Sequence, residues 1–220
     1  MSKTIAQLLV DQLAAAGVKR IYGIVGDSLN PVSNVLRGDR RIEFIHVRHE
    51  EAAAFAASAE AQLSGNLTVC AGTSGPGHVH LINGLYDANR SHAPVLALAS
   101  MLPTSQMGTT YFQDTHPELL FKDCSQYCEI LTVPEQMPRM LQIAMQTAVS
   151  RRCVSVLGIP GDVAAALGDR LYIPRIQGAD PYDFTGLFAV AQPYDGSGLT
   201  PPEQMDGWAD VDNNEDGYKD

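Results

Sequence analysis

Apolar positions along this chain recur first at helical and then at strand spacing, and the two patterns keep alternating. Ile5, Leu8, Leu9, Leu13 and Ala16 fall on one helical face behind Thr4, whose hydroxyl can accept from a free first-turn N–H, and Gly17 ends the run. Residues 21–25 read as a short buried strand. Gly26-Asp27-Ser28 then turns into a helix over about 30–36, which Gly38-Asp39 breaks. A second strand is predicted over 42–47 and an alanine-rich helix over 49–63, stopped by Ser64-Gly65-Asn66. Residues 67–71 form the third strand, followed by Gly72-Thr73-Ser74-Gly75-Pro76-Gly77 and a helix to about Asn89. The fourth strand, 94–100, is apolar throughout, as a central parallel strand covered on both faces must be. Beyond a loop-rich passage over 101–116 come a short helix near 118–124, a strand near 129–133, a helix opened by Pro134 and running to Ser150, and a last strand over 154–159.

Such regular alternation predicts an α/β fold over residues 1–168, a doubly wound, mainly parallel sheet with helices on both faces. In sheets of this kind the working residues lie just beyond the carboxyl ends of the strands. Three stretches end there: Gly26-Asp27, His49-Glu50 and the glycine-rich run 72–77.

Composition narrows the picture. At 220 residues and 45% hydrophobic, the chain can bury a sizeable core. No apolar run approaches the ~18 residues of a membrane span, and residues 1–14 read as amphipathic rather than as a leader, so a cytoplasmic location is expected. A net charge of -10 argues against nucleic acid as a partner, because phosphate neutralisation needs clustered Lys and Arg. From residue 166 onward eleven acidic residues face three basic ones, so that stretch carries most of the charge. Residues 169–220 hold Pro, Gly and Asp without a sustained period and are expected to form an irregular acidic tail. Within it Asp212, Asn214 and Asp216 fit the start of a calcium loop, but the chain reaches Asp220 before the bidentate glutamate of such a loop, and calcium is not expected. Cys70, Cys124, Cys128 and Cys153 lack the paired spacing of zinc or redox sites and read as structural thiols.

Candidate chemistry centres on Arg48-His49-Glu50-Glu51, which runs directly into the alanine-rich helix. Glutamate in a first helical turn offsets the macrodipole, and that reading suffices for Glu51. Glu50 stands at the mouth of the helix behind an apolar strand, where a carboxylate can be held in fixed geometry away from water. The 72–77 run resembles a phosphate cradle at first sight. It nevertheless matches neither GxGxxG nor GxxxxGK[ST], carries no lysine and loses one donor to Pro76, so it suits a flat, uncharged ring better than a phosphate. His78 and His80 have no further ligands at suitable sequence spacing, and no metal site is expected there.

Taken in order, GVKRIYGIVGDSLN, RHEEAAAFAASAEAQLSG, CAGTSGPGHVHLINGLYDANRSHAPVLALAS, YFQDTHPELLFKDCSQYCEIL and VSVLGIPGDVA resemble the amino-terminal pyrimidine-binding domain of thiamin-diphosphate enzymes. Within that superfamily the chain looks most like pyruvate oxidase and the quinone-reducing pyruvate dehydrogenase, and the likeness covers about residues 3–163. The resemblance implies that Glu50 hydrogen-bonds a ring nitrogen of the aminopyrimidine, which promotes loss of the thiazolium C2 proton ahead of attack on pyruvate. It also implies that Gly26 lets backbone approach the cofactor, that Thr73 and Pro76 pack beside the pyrimidine, and that His80 faces the reaction centre. Phe112 and Phe121 match aromatic positions near the substrate methyl group, with core packing as the alternative for both. In this family the diphosphate is held through magnesium by a separate domain, and the oxidases carry FAD on another. Neither text is found here, so the resemblance implies half a site, completed within a homo-oligomer or by a partner chain that carries the diphosphate-binding domain. Two other readings remain open: a fragment of an acetolactate synthase-like enzyme, and a non-catalytic binding or assembly module that kept the fold.

Overall fold

The computed structural model describes residues 3–168, together with a two-residue antiparallel pairing of Arg175–Ile176 with Met205–Asp206. The candidate calcium positions Asp212, Asn214 and Asp216, and most of the expected tail, lie outside the described residues.

The first helix, α1 (Ile5–Ala15), begins with a capping box: the Thr4 hydroxyl accepts the Gln7 N–H at 3.2 Å, and the Gln7 side chain accepts the Thr4 N–H at 2.8 Å. There follow β1 (Arg20–Gly23), α2 (Asn30–Gly38), β2 (Glu43–His46), α3 (Glu50–Ser64), β3 (Thr68–Gly72), α4 (Pro76–Val79), α5 (Ile82–Arg90) and β4 (Val95–Met101). After a long loop come α6 (Pro117–Leu120), β5 (Tyr127–Ile130), α7 (Met137–Arg151), β6 (Val154–Pro160) and α8 (Gly161–Ala165). Six strands form one sheet in the order β2-β1-β3-β4-β6-β5, every pairing parallel. The predicted doubly wound sheet is therefore the observed one.

Side chains of alternate strand residues feed two cores. Val69, Leu96, Leu98, Leu157 and Ile159 join α1, α2 and α7 on one face. On the other, Cys70, Val95, Ala97, Ala99 and Val156 meet α3 and α5. Burial on both faces is why these strands read as unbroken apolar runs. It also explains the alanines of α3. Ala53, Ala54, Ala57 and Ala61 are fully buried, and a methyl group placed on Gly84 of α5 would lie 2.5 Å from the Ala54 Cβ, so nothing bulkier fits where the two helices meet.

Several boundaries differ from those predicted. The helix expected after the glycine-rich run is two, α4 and α5, separated at His80 and Leu81. Pro134 opens a 3-10 turn, Pro134–Gln136, rather than the helix itself; Pro138, which has no N–H to donate, sits where α7 needs none, in its first turn. The short α8 has no counterpart in the sequence reading. No described helix is long and apolar enough to cross a membrane.

Candidate functional site

Because β2, β1 and β3 are parallel neighbours, the segments that leave their carboxyl ends emerge side by side. Successive strands are added on opposite sides of β1, so the crevice between β1 and β3 is a topological switch point, where doubly wound sheets bind ligands. Gly26 follows β1 and Thr73 follows β3, and they touch: a methyl group on Gly26 would lie 2.5 Å from the Thr73 Oγ1. The same threonine fills the space beside Gly77, where an added Cβ would come within 2.6 Å of its Cγ2 and 3.5 Å of the Glu50 Oε1. Gly26, Thr73, Gly77 and Glu50 thus line up across three strand ends with no room for further side-chain atoms.

Glu50 is the first residue of α3 and only 7% exposed. Its Oε2 lies 3.2 Å from the Nδ1 of His80, while Oε1 faces the glycine turn. His49 caps α3, its Nδ1 accepting the Glu51 N–H at 3.2 Å. Glu51 is half-exposed, its carboxylate 3.9 Å from the same His49 nitrogen.

What holds the turn in place is a set of hydroxyls absent from the sequence-level list of candidates. The Ser28 Oγ accepts the Ser74 N–H at 2.9 Å and lies 2.9 Å from the Thr73 Oγ1, while Ser100 Oγ donates to the Ser28 carbonyl at 2.6 Å. Ser74 in turn donates to the Gln113 side chain at 3.1 Å, which ties the 101–116 loop to the turn. Polar residues at the ends of apolar strands, as Ser100 is at the end of β4, were the available signal.

His78 reinforces the same junction from beneath. It is 1% exposed and bonded at both nitrogens, to the Ser100 carbonyl at 2.9 Å and the Thr115 hydroxyl at 2.6 Å. The carbonyl requires a proton on Nδ1, so Nε2 accepts from Thr115. Burial holds the His78 pKa below its ordinary value of 6.5. The sign of the linkage follows: the unfolded chain takes up this proton first, so stability is full above pH 6.5 and falls as the pH drops from there toward the folded-state value. Chemical denaturation of wild type and His78→Gln between pH 7 and pH 5 is expected to show a steeper acid loss for wild type.

The remaining predicted residues are placed as follows. Pro76 opens α4 at the rim of the turn, and His80 sits half-exposed above Glu50. Phe112 lies in the 101–116 loop, 82% exposed, with its ring 5.0 Å from that of Tyr111. Phe121 is fully buried, edge-on to His78 at 6.2 Å, and lies in the core rather than beside Phe112. All four cysteines are free thiols; burial pushes Cys70 up to about 12 and Cys124 and Cys153 to about 11, out of the range of reactive thiolates. A surface groove of about 880 Å³ runs between α1 and α2, and Glu50 is not among the residues that line it.

Residues 3–120 match the model of the family described as thiamine pyrophosphate enzyme, N-terminal TPP binding domain, and the chain belongs to that family. An uncharacterized 42.6 kDa protein of Pseudomonas amyloderamosa, from an isoamylase 3' region, is 57% identical over 73% of this chain and 40% of its own length. A putative thiamine pyrophosphate-containing protein of Bacillus subtilis is 43% identical over 74% of the chain and 29% of its own length. Pyruvate oxidase of Lactiplantibacillus plantarum is 39% identical over 70% of the chain and 26% of its own length. Acetolactate synthases are relatives as well. The chain spans well under half the length of the relatives it matches.

The residues present fit the pyrimidine end of thiamin diphosphate. A buried carboxylate faces the backbone at Gly77, and Thr73 is packed between Gly77 and Gly26 at the ends of β1 and β3.

Proposed function

We propose that this chain is the pyrimidine-binding half of a thiamin-diphosphate-dependent oxidoreductase that decarboxylates pyruvate. The observation that carries the reading is the placement of Glu50, buried, fixed at the start of α3, and with Oε1 turned to the glycine cradle. When bound, thiamin diphosphate supplies an electron-accepting thiazolium at which a 2-keto acid loses carbon dioxide. Glu50 holds a proton at Oε1 and shares it with a ring nitrogen, while His80 engages Oε2 and fixes the plane of the carboxylate. Thr73 and Pro76 border the ring, Gly26 gives it a floor, and the loop that bears Phe112 and Gln113 reaches the substrate side. The diphosphate, its magnesium and the flavin are assigned to a portion outside residues 3–168 or to a partner chain, either a second copy or another polypeptide.

Support for pyruvate comes from the pyruvate oxidase relative and from the aromatic loop at Tyr111 and Phe112. The acetolactate synthase relatives favour a second reading, in which the same half-site serves condensation of 2-keto acids. A graft separates the two. Residues 3–168 replace the matching segment of the Lactiplantibacillus plantarum pyruvate oxidase, and pyruvate consumption is measured with and without thiamin diphosphate. Cofactor-dependent oxidative decarboxylation is expected. Acetolactate as the product, or a folded and assembled graft that leaves pyruvate untouched, would overturn the assignment.

A further inference from the structure

Three metal-ligating side chains from two separate segments converge at the start of α3. One ligand atom each from His49, Glu50 and His80 all lie within 4.8 Å of one another. The two imidazoles stack with centroids 4.4 Å apart and planes 26° apart. The sequence reading weighed His78 with His80, but the fold separates that pair: His78 turns into the core, and it is His49 that comes over His80.

We propose that His49, Glu50 and His80 form a binding site for a divalent transition-metal ion of the zinc and cobalt class. Two imidazoles and one carboxylate are a donor set these ions favour, with one or more positions left for water. Bonds of about 2.0–2.1 Å in a tetrahedral site put ligand atoms roughly 3.3 Å apart. The 3.2 Å between His80 Nδ1 and Glu50 Oε2 already has that spacing, so an ion can replace the proton now shared there. His49 has to close on the pair; its ring is half-exposed, and turning it gives up the stack on His80.

One lone pair is at stake. In a neutral imidazole only one nitrogen accepts, and the His49 Nδ1 now uses its lone pair on the Glu51 N–H. Ligation through Nε2 moves the ring proton to Nδ1 and gives up that capping bond. The Glu51 carboxylate, 3.9 Å from the same nitrogen, then becomes the acceptor, which makes a carboxylate–histidine–metal relay. The positive end of α3 opposes a cation, so the Glu50 charge is indispensable to the site. The consequence for the cofactor rests on the function proposed above: the ion needs the Glu50 carboxylate ionised and the pyrimidine needs it to carry a proton, so the two compete. The ion site itself does not depend on that reading.

The test is a titration of the full chain with Co2+, without thiamin diphosphate, followed by absorbance and calorimetry. One ion per chain is expected, with the visible bands of a nitrogen and oxygen site and no thiolate charge-transfer band. His49→Ala, His80→Ala and Glu50→Gln should each weaken binding by at least about tenfold, and Glu51→Gln by less. Melting curves report whether the variants fold; His49→Gln and His80→Gln, which keep bulk but lose the ring nitrogen, replace any alanine variant that does not. A thiolate band, no saturable uptake, or unchanged affinity in the folded histidine variants would overturn the site. Its failure leaves cofactor-dependent turnover of the graft untouched, and inactivity of the graft leaves the titration result standing.

Discussion

Replacing Glu50 by glutamine is expected to slow exchange of the thiamin-diphosphate C2 proton in the grafted enzyme by roughly 100- to 10,000-fold, the range set by losing a positioned proton-transfer group. Glutamine keeps the length of the side chain and an oxygen for His80, but it cannot hold an ionisable proton where Oε1 now faces the glycine turn. Exchange is read by quenched-flow NMR, and melting temperature is followed in parallel. The two readouts should part. The only side-chain partner described for Glu50 is a half-exposed imidazole, and hydrogen bonds of that exposure contribute about 1 kcal/mol or less, so the melting temperature should hardly move. Unchanged exchange in a folded Glu50→Gln graft would remove this carboxylate from the chemistry, and a large fall in melting temperature would recast it as a structural residue.

Glu50 was legible in the sequence because local features converged on it: an apolar strand before it, an alanine stripe after it, and the glycine turn in the family order. The sheet was legible for a related reason. Burial on both faces leaves unbroken apolar runs at β3, β4 and β6, and the helices between them keep their period. What escaped were relations that depend on distant partners. His78 takes its role from Ser100 and Thr115, 22 and 37 residues away, and nothing beside it in the chain names them. Ser28 looked like a turn residue and proved to be the post to which the turn at 73–74 is tied, 45 and 46 residues on. The meeting of His49 with His80 belongs to the same class. The break between α4 and α5 escaped for a local reason, since residues 76–89 carry no proline or paired glycine at the point where the helix is interrupted.

The aromatic pair shows where residue type alone stops being informative. Phe112 and Phe121 stand nine positions apart and satisfied the same description in the sequence, yet one is 82% exposed and the other is fully enclosed. Phe121→Ala is therefore expected to cost about 3–5 kcal/mol, because the ring's contacts in the core shared by α3, α5 and the sheet are lost and a cavity takes its place. For a domain of this size that corresponds to a fall in melting temperature on the order of 10 °C. Phe112→Ala removes a largely exposed ring that packs on Tyr111, and its effect on stability should stay within roughly 0.5 kcal/mol. Activity of the graft should order the two the other way: Phe112→Ala raises the KM for pyruvate in a protein of normal stability, while Phe121→Ala, assayed below its own melting transition, keeps its KM. Differential scanning calorimetry and steady-state kinetics on both variants separate the roles. If Phe121→Ala melted with the wild type, the ring could not be in the core, and the placement of His78 that leans on it would fall with it.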